Sequence, residues 1–183
     1  EGHLRLLADH GEPMTRADGR LPDRMRDVTI TTGVQKDPAG SVQVRFGQTV
    51  VLVAASVEKK VPRWLENREP ARGWITAEYA MLPGAVPGGA PPRSRGRSEE
   101  IQRLVGRSLR AAADLTALPG HTITVDCDVL QADGGTRTAS ITGGWVALNL
   151  ACGSLLADGS IPRDPVIRQI CPVSCGTRLI WTG

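Results

Sequence analysis

The sequence predicts a mixed α/β fold of the α+β kind, with β-strands packed against helices, and three observations predict it. Segments rich in Val, Ile and Thr recur between Asp27 and Glu58 and again at 121–130, separated by Gly or Asp-Pro punctuation. Two later stretches, 98–112 and 139–157, carry helical patterns. Gly 21 and Pro 13 in 183 residues imply enough turns to disfavour a pure helix bundle. A chain of this length buries roughly two-thirds of its unfolded surface and forms a core without metal or disulfide staples.

Taken in order, residues 1–13 (EGHLRLLADHGEP) lack a pattern that would dock them on a core. They are expected to be a disordered extension, with Met14 as the natural start and 14–183 as one domain. DVTITTG, SVQVRFG and TVVLVAASVE read as three strands, the third so continuously apolar that it is expected to be central and buried on both faces. Residues 62–72 (PRWLENREPAR) read as a polar loop and GWITAEYAML as a further extended segment. Residues 83–97 (PGAVPGGAPPRSRGR) read as a mobile basic loop, because Pro and Gly remove the means of ordering it.

A helix is expected from Ser98, with Ser98 as N-cap, Glu99 and Glu100 at the positive end of the dipole, and Ile101, Leu104, Val105, Leu109 and Ala112 on one face. Arg103, Arg107 and Arg110 lie opposite and read as a solvated face, with a subunit or RNA contact as the alternative. HTITVDCDVL alternates, setting Ile123, Val125, Cys127 and Val129 against Thr122, Thr124, Asp126 and Asp128. Residues 131–138 read as a glycine-bearing turn and 139–157 as a helix. Gly143 and Gly144 cost that helix about 1–2 kcal/mol of propensity, so close packing against another backbone is expected to compensate. VIRQICPVSCG (166–176) reads as a last strand, weakened or pushed to an edge by Pro172.

Hydrophobic residues make up 40% of the chain and charged residues 22%, and no apolar run of the roughly 18–20 residues that span a bilayer is read in it, which disfavours disorder throughout and membrane insertion. The net charge is +3, and of 22 basic residues only Lys36, Lys59 and Lys60 are lysine. Arginine's planar fork suits phosphate, which favours nucleic acid or a phosphorylated substrate, although GC-rich coding produces the same bias. Phe46, Trp64, Trp74, Tyr79, Trp145 and Trp181 are too scattered for a base-stacking platform of the RRM type. Cys127, Cys152, Cys171 and Cys175 form no CxxC knuckles, and His3, His10 and His121 stand at no zinc spacing, so no metal site is expected. LRLLA is too short for a signal-peptide core, and a cytoplasmic location with reduced thiols is the expectation.

The stretch that carries chemistry is strand, GGTRT, helix. Two glycines let backbone approach an anion, the amides at the helix start point toward it, and Arg137 adds a bidentate charge. The alternative is an ordinary turn; GxxxxGK[ST] is absent. Asp133 is expected to brace this turn.

VDCDVLQADGGTRTASITGGWVAL (125–148), EEIQRLVGRSLRAAADL (99–115), GWITAEYAMLP (73–83), FGQTVVLVAASVEKKVPRW (46–64) and RADGRLPDRMRDVTIT (16–31) resemble ribonuclease PH, in order and spacing, over roughly residues 14–176. The resemblance implies a mixed α/β domain and a phosphate-dependent 3′-to-5′ exoribonuclease that trims precursor tRNA 3′ ends. Inorganic phosphate, the co-substrate, attacks the terminal phosphodiester to release a nucleoside diphosphate; the reverse reaction adds nucleotides. It implies a homo-oligomeric, hexameric ring that binds RNA, and no membrane. The family's phosphate site falls on Gly135, Thr136 and Arg137, joined by Arg97. A non-catalytic RNA-binding or ring-scaffold subunit of the same fold is the alternative function.

Two departures stand out. The family's basic stretch before the Ser98 helix is shortened to GAVPGGAPPRSRG, leaving Arg93 and Arg95 for RNA. After VSCG the family continues into an acidic DLxYxED pattern whose aspartates serve as general acid and Mg²⁺ ligand. Here TRLIWTG follows. The C-terminal part of the domain is therefore expected to be missing, by frameshift or premature stop, with no catalytic carboxylate and no metal ligand present.

Overall fold

The computed structural model describes residues 18–21, 23–89 and 95–174, with the side chain of Arg95 left aside. The extension 1–13, Met14, Arg93, Cys175, Trp181 and the TRLIWTG tail lie outside the described residues.

Five strands form one sheet in the order β1-β2-β3-β5-β4: β1 (Val28–Thr32), β2 (Gly40–Phe46), β3 (Thr49–Glu58), β4 (Trp74–Met81) and β5 (Thr122–Gln131). The β1–β2, β2–β3 and β3–β5 pairs are antiparallel, whereas β4 runs parallel to β5. A parallel neighbour needs a crossover, and α1 (Arg95–Ala111) lies in the connection from β4 to β5. The second helix, α2 (Thr136–Ala157), follows β5. The mixed α/β fold is as the sequence predicts.

Both helices pack on the same face of the sheet, α2 over β2 and β3 and α1 over β4. The alternation of the strands explains why that face is the core. Val42 and Val44, Val51 and Val53, Ile75 and Ala77, and Ile123, Val125, Cys127 and Val129 are buried there. They meet Ile101, Val105 and Leu109 of α1 and Ala147, Leu148 and Ala151 of α2. The helical face and the strand alternation predicted from sequence are both borne out.

Several local expectations are corrected. β3 is central, but its second face is only partly covered: Leu52 and Ala54 are half-buried and Ser56 is exposed. α1 begins at Arg95, so Ser98 is not its N-cap and Glu99 and Glu100 lie beyond the first turn; Arg is a good helix former, and Ser98 is tolerated inside. The expected loop 83–97 thus loses its last residues to α1, and Pro83–Ala85 form a short 3-10 turn with Ala85 buried. α2 likewise starts at Thr136, absorbing residues assigned to the turn. Arg110 is not on a solvated face. It donates to the Ile75 carbonyl (2.7 Å) and lies over the Trp74 ring, 4.4 Å from its centroid. Trp64 meets Trp74 edge-on at 4.7 Å, so two of the scattered aromatics do come together.

α2 by length and composition would pass for a membrane span, an exception to the reading that no such run exists, but over half of that stretch is buried inside the fold. A helix apolar nearly all round belongs in a core. The close backbone approach expected at Gly143 and Gly144 occurs elsewhere. A Cβ on Gly143 would meet the side chains of Val53 and Val44 at 2.9 and 3.0 Å. It is at Gly40 of β2 that a Cβ would run into helix backbone, 2.2 Å from the Ala147 carbonyl oxygen.

The expected last strand does not form. Val166 makes one bridge to Ala113, and through Ser174 the chain pairs no further. Pro172 removes a donor, and the segment is instead fastened to the end of α1: the Ile167 amide donates to the Ala112 carbonyl (2.9 Å), and Trp145 Nε1 donates to the Arg168 carbonyl (3.0 Å). Asp114 anchors the same region, accepting from the Thr116 amide (2.9 Å), the Thr116 hydroxyl (2.7 Å) and Arg163.

The Thr116 hydroxyl, then Arg163, hold the Asp114 carboxyl down at about 2. Its folded value lies below its ordinary value of 3.8, so its stabilisation is fully present above 3.8 and is lost as the pH falls toward 2. Asp114→Asn is therefore expected to lower the melting temperature at pH 7, with the gap to the parent closing at pH 2; an equal gap at both pH values would refute it.

Candidate anion-binding site

The site is built where β5 hands over to α2. The strand ends at Gln131, and Gly134 and Gly135 follow, both with positive φ (77° and 72°). Two consecutive left-handed residues need glycine. Gly135 is the N-cap of α2 and offers no side chain, so the first amides of the helix are left for a ligand. The Gly135 carbonyl already accepts from the Ala139 amide (2.9 Å) and the Thr138 hydroxyl (2.8 Å), which fixes the loop's exit.

Arg137 stands in the first turn of α2 and Arg97 in the first turn of α1. Both guanidiniums act on the Glu100 carboxylate and on the Tyr79 hydroxyl, so the two helix starts present their arginines to one neighbourhood. Arg137 Nη2 donates to Glu100 Oε2 at 2.6 Å. That hydrogen bond, first among the causes, draws the Glu100 carboxyl below its ordinary range and raises the Arg137 guanidinium. An entering anion must share or displace Glu100.

Thr136 is buried, and its hydroxyl receives a 3.0 Å hydrogen bond from Tyr79 on β4. Burial raises the Tyr79 phenol, so it remains a donor. Asp133 does brace the turn, but with its backbone: its amide donates to the Thr49 hydroxyl (2.8 Å), and its carbonyl accepts from Arg26. Its carboxylate is only 3.8 Å from Arg26.

Gly135, Thr136 and Arg137 are consecutive at the start of α2, and Arg97 shares with Arg137 the neighbours Glu100 and Tyr79, while the RNA candidates Arg93 and Arg95 carry no described side chain. Sequence reasoning missed Glu100, Tyr79, Thr49 and Arg26. Tyr79 left a signal: on alternating β4 it shares the inward face with Ile75 and Ala77, and a buried tyrosine hydroxyl needs a partner. Asp126 is half-buried, and burial followed by the neighbouring Asp128 raises its carboxyl. Among the described residues, no group of three or more His, Cys, Asp or Glu side chains comes together to hold a cation such as Mg²⁺.

A mixed sheet carrying two helices on one face, with a glycine loop and two first-turn arginines at their starts, defines an α/β protein with a candidate anion site. Comparison with known proteins narrows this. The sequence model described as 3′ exoribonuclease family, domain 1 (RNase PH), matches residues 24–152. Ribonuclease PH of Caulobacter vibrioides is 52% identical over 166 residues, covering 88% of this chain and 69% of that protein. Ribonuclease PH of Corynebacterium efficiens is 53% identical over 167 residues, covering 88% and 67%. Among solved structures, the Archaeoglobus fulgidus exosome with RNA bound to the active site superposes with a TM-score of 0.68 at 28% identity, covering 84% of this chain and 62% of that one. An archaeal exosome core gives 0.61 at 28% identity, covering 74% and 53%. The chain belongs to the ribonuclease PH family of 3′ exoribonucleases. It spans about two-thirds of the length of these curated relatives.

Proposed function

We propose that this chain is a phosphorolytic 3′-to-5′ exoribonuclease whose anion loop holds the attacking phosphate. The observation that carries the reading is the loop itself: left-handed Gly134 and Gly135 leading into α2, with Arg137 and Arg97 facing one neighbourhood, in a family that uses inorganic phosphate as co-substrate. Gly135, Thr136 and Arg137 would bind the dianion through helix-start amides and a charge-assisted fork, with Arg97 as the second cation. A phosphate oxygen then attacks the terminal phosphodiester phosphorus and the bond to the preceding 3′ oxygen breaks. That oxygen takes, through solvent, the proton carried by the attacking hydrogen phosphate as the shortened RNA leaves, and a nucleoside diphosphate is released. The arginines' part is to position phosphate and offset its repulsion from the RNA phosphodiester.

The trimming of tRNA 3′ ends, assembly of identical chains into a hexameric ring, the RNA-binding role of Arg93 and Arg95, and a cytoplasmic location belong to the same proposal; Mg²⁺ belongs to the family, and no ligand for it is assigned in this chain. RNA and ring assembly are supported by the exosome neighbours, one of them carrying RNA at its active site. The test is phosphorolysis of a short RNA with a free 3′ end. Phosphate-dependent release of nucleoside diphosphates is the expected result. RNA binding without release would favour the non-catalytic ring subunit instead.

A further inference from the structure

Two motifs remain without a role: the FGQT turn between β2 and β3, and the Arg26 that precedes β1. Both converge on the anion loop from the far end of the sheet. β3 runs antiparallel to β5, so its first residue lies beside the end of β5; the register shifts between Val50 and Val51, and beyond that shift Thr49 meets the loop. Thr49 is fully buried and its hydroxyl is used twice, accepting from the Asp133 amide (2.8 Å) and donating to the Gly134 carbonyl (2.6 Å). Arg26 donates to the carbonyls of Asp133 and Gly134. The stem of Arg26 runs over Gly47, where a Cβ would sit 3.3 Å from its Cδ; Gly47 itself has φ 58°.

We propose that Thr49 and Arg26 are positioning residues for phosphate: they grip the Asp133 and Gly134 carbonyls from one side, which fixes the loop in the left-handed conformation that leaves the amides at the α2 start facing the other. The inference rests on the anion-site reading above. Gly134 and Gly135 are free to leave that conformation in a way no other residue is, so something outside the loop must hold it. Thr49 carries no charge and does not belong to the anion-contacting set. Its effect on phosphate therefore has to pass through loop geometry.

The test compares Thr49→Val, which keeps shape and loses the hydroxyl, with Thr49→Ser, which keeps the hydroxyl, and with Arg26→Met. Inorganic phosphate affinity is read by calorimetry, and the ¹⁵N–¹H signals of Asp133, Gly134 and Gly135 are read without ligand. Thr49→Val is expected to weaken phosphate binding about 10-fold, within the range for loss of buried hydrogen bonds, and to broaden the three signals. Thr49→Ser should restore both to near the parent, and Arg26→Met should reproduce the broadening. Sharp, unshifted loop signals and phosphate affinity within twofold of the parent in Thr49→Val would overturn the proposal. Should Thr49→Val fail to fold, Arg26→Met decides by the same two readouts. If the parent protein binds no phosphate, the anion-site reading fails, while the loop signals of the variants still decide whether Thr49 and Arg26 hold the loop.

Discussion

Arg137→Ala is expected to weaken inorganic phosphate binding by about 10- to 100-fold, because a hydrogen bond to a charged group is worth about 1.5–3 kcal/mol. The helix-start amides at Gly135 and Thr136 remain in the variant, so some affinity should persist. The ion pair with Glu100, which the anion must share or displace, blunts the effect only a little, since both partners are half-exposed and an exposed pair is weak. Arg137→Lys should recover only part of the loss, a point charge being a poor substitute for a planar fork. Calorimetric titration with phosphate measures all three. An Arg137→Ala protein that binds phosphate like the parent would remove Arg137 from the site.

A large effect on stability is expected from Gly40→Ala. The new Cβ would stand 2.2 Å from the Ala147 carbonyl oxygen and 3.0 Å from both the Ala151 amide nitrogen and the Leu150 Cβ. Backbone of a helix packed across β2 and β3 cannot step aside as a flexible side chain could, so about 3 kcal/mol of destabilisation is expected, the upper part of the range for overpacking. Gly153→Ala is the matched control. It lies on α2 with nothing within 4 Å of its Cβ position, and alanine there should stabilise by up to about 1 kcal/mol. Urea unfolding of the two variants should therefore move in opposite directions. A Gly40→Ala loss below about 1 kcal/mol would mean that α2 can retreat from the sheet.

Where one physical signal dominated, the sequence was readable. The inward rows of β5 and the apolar stripe of α1 were visible because alternation and helical spacing are properties of neighbouring residues. The start of α1 was not, because Ser98 is as plausible a cap as it is the fourth residue of a helix that already began at Arg95. The double burial expected of β3 failed for a similar reason: an apolar run reports what a strand could bury, not whether anything lies on its second face. Of the anion site, Gly135, Thr136, Arg137 and Arg97 were legible as a local pattern and by family resemblance. Thr49, Arg26, Tyr79 and Glu100 were not, since their contacts join residues that only the sheet's register and the helix packing bring together.

Those joins also have a consequence for how the molecule comes into being. Arg26 reaches a carbonyl 107 residues away, Thr49 an amide 84 away, and Tyr79 a hydroxyl 57 away. Contacts of such separation demand loop closure before they return any stabilisation, and they are typically late events in a folding reaction. Binding competence should therefore appear after helix formation, in step with the last pairing of β3 and β5, and a phosphate-sensitive signal at the loop would serve as a clock for the completed chain rather than for its parts. By mass action, phosphate present during refolding would draw the population toward that finished state.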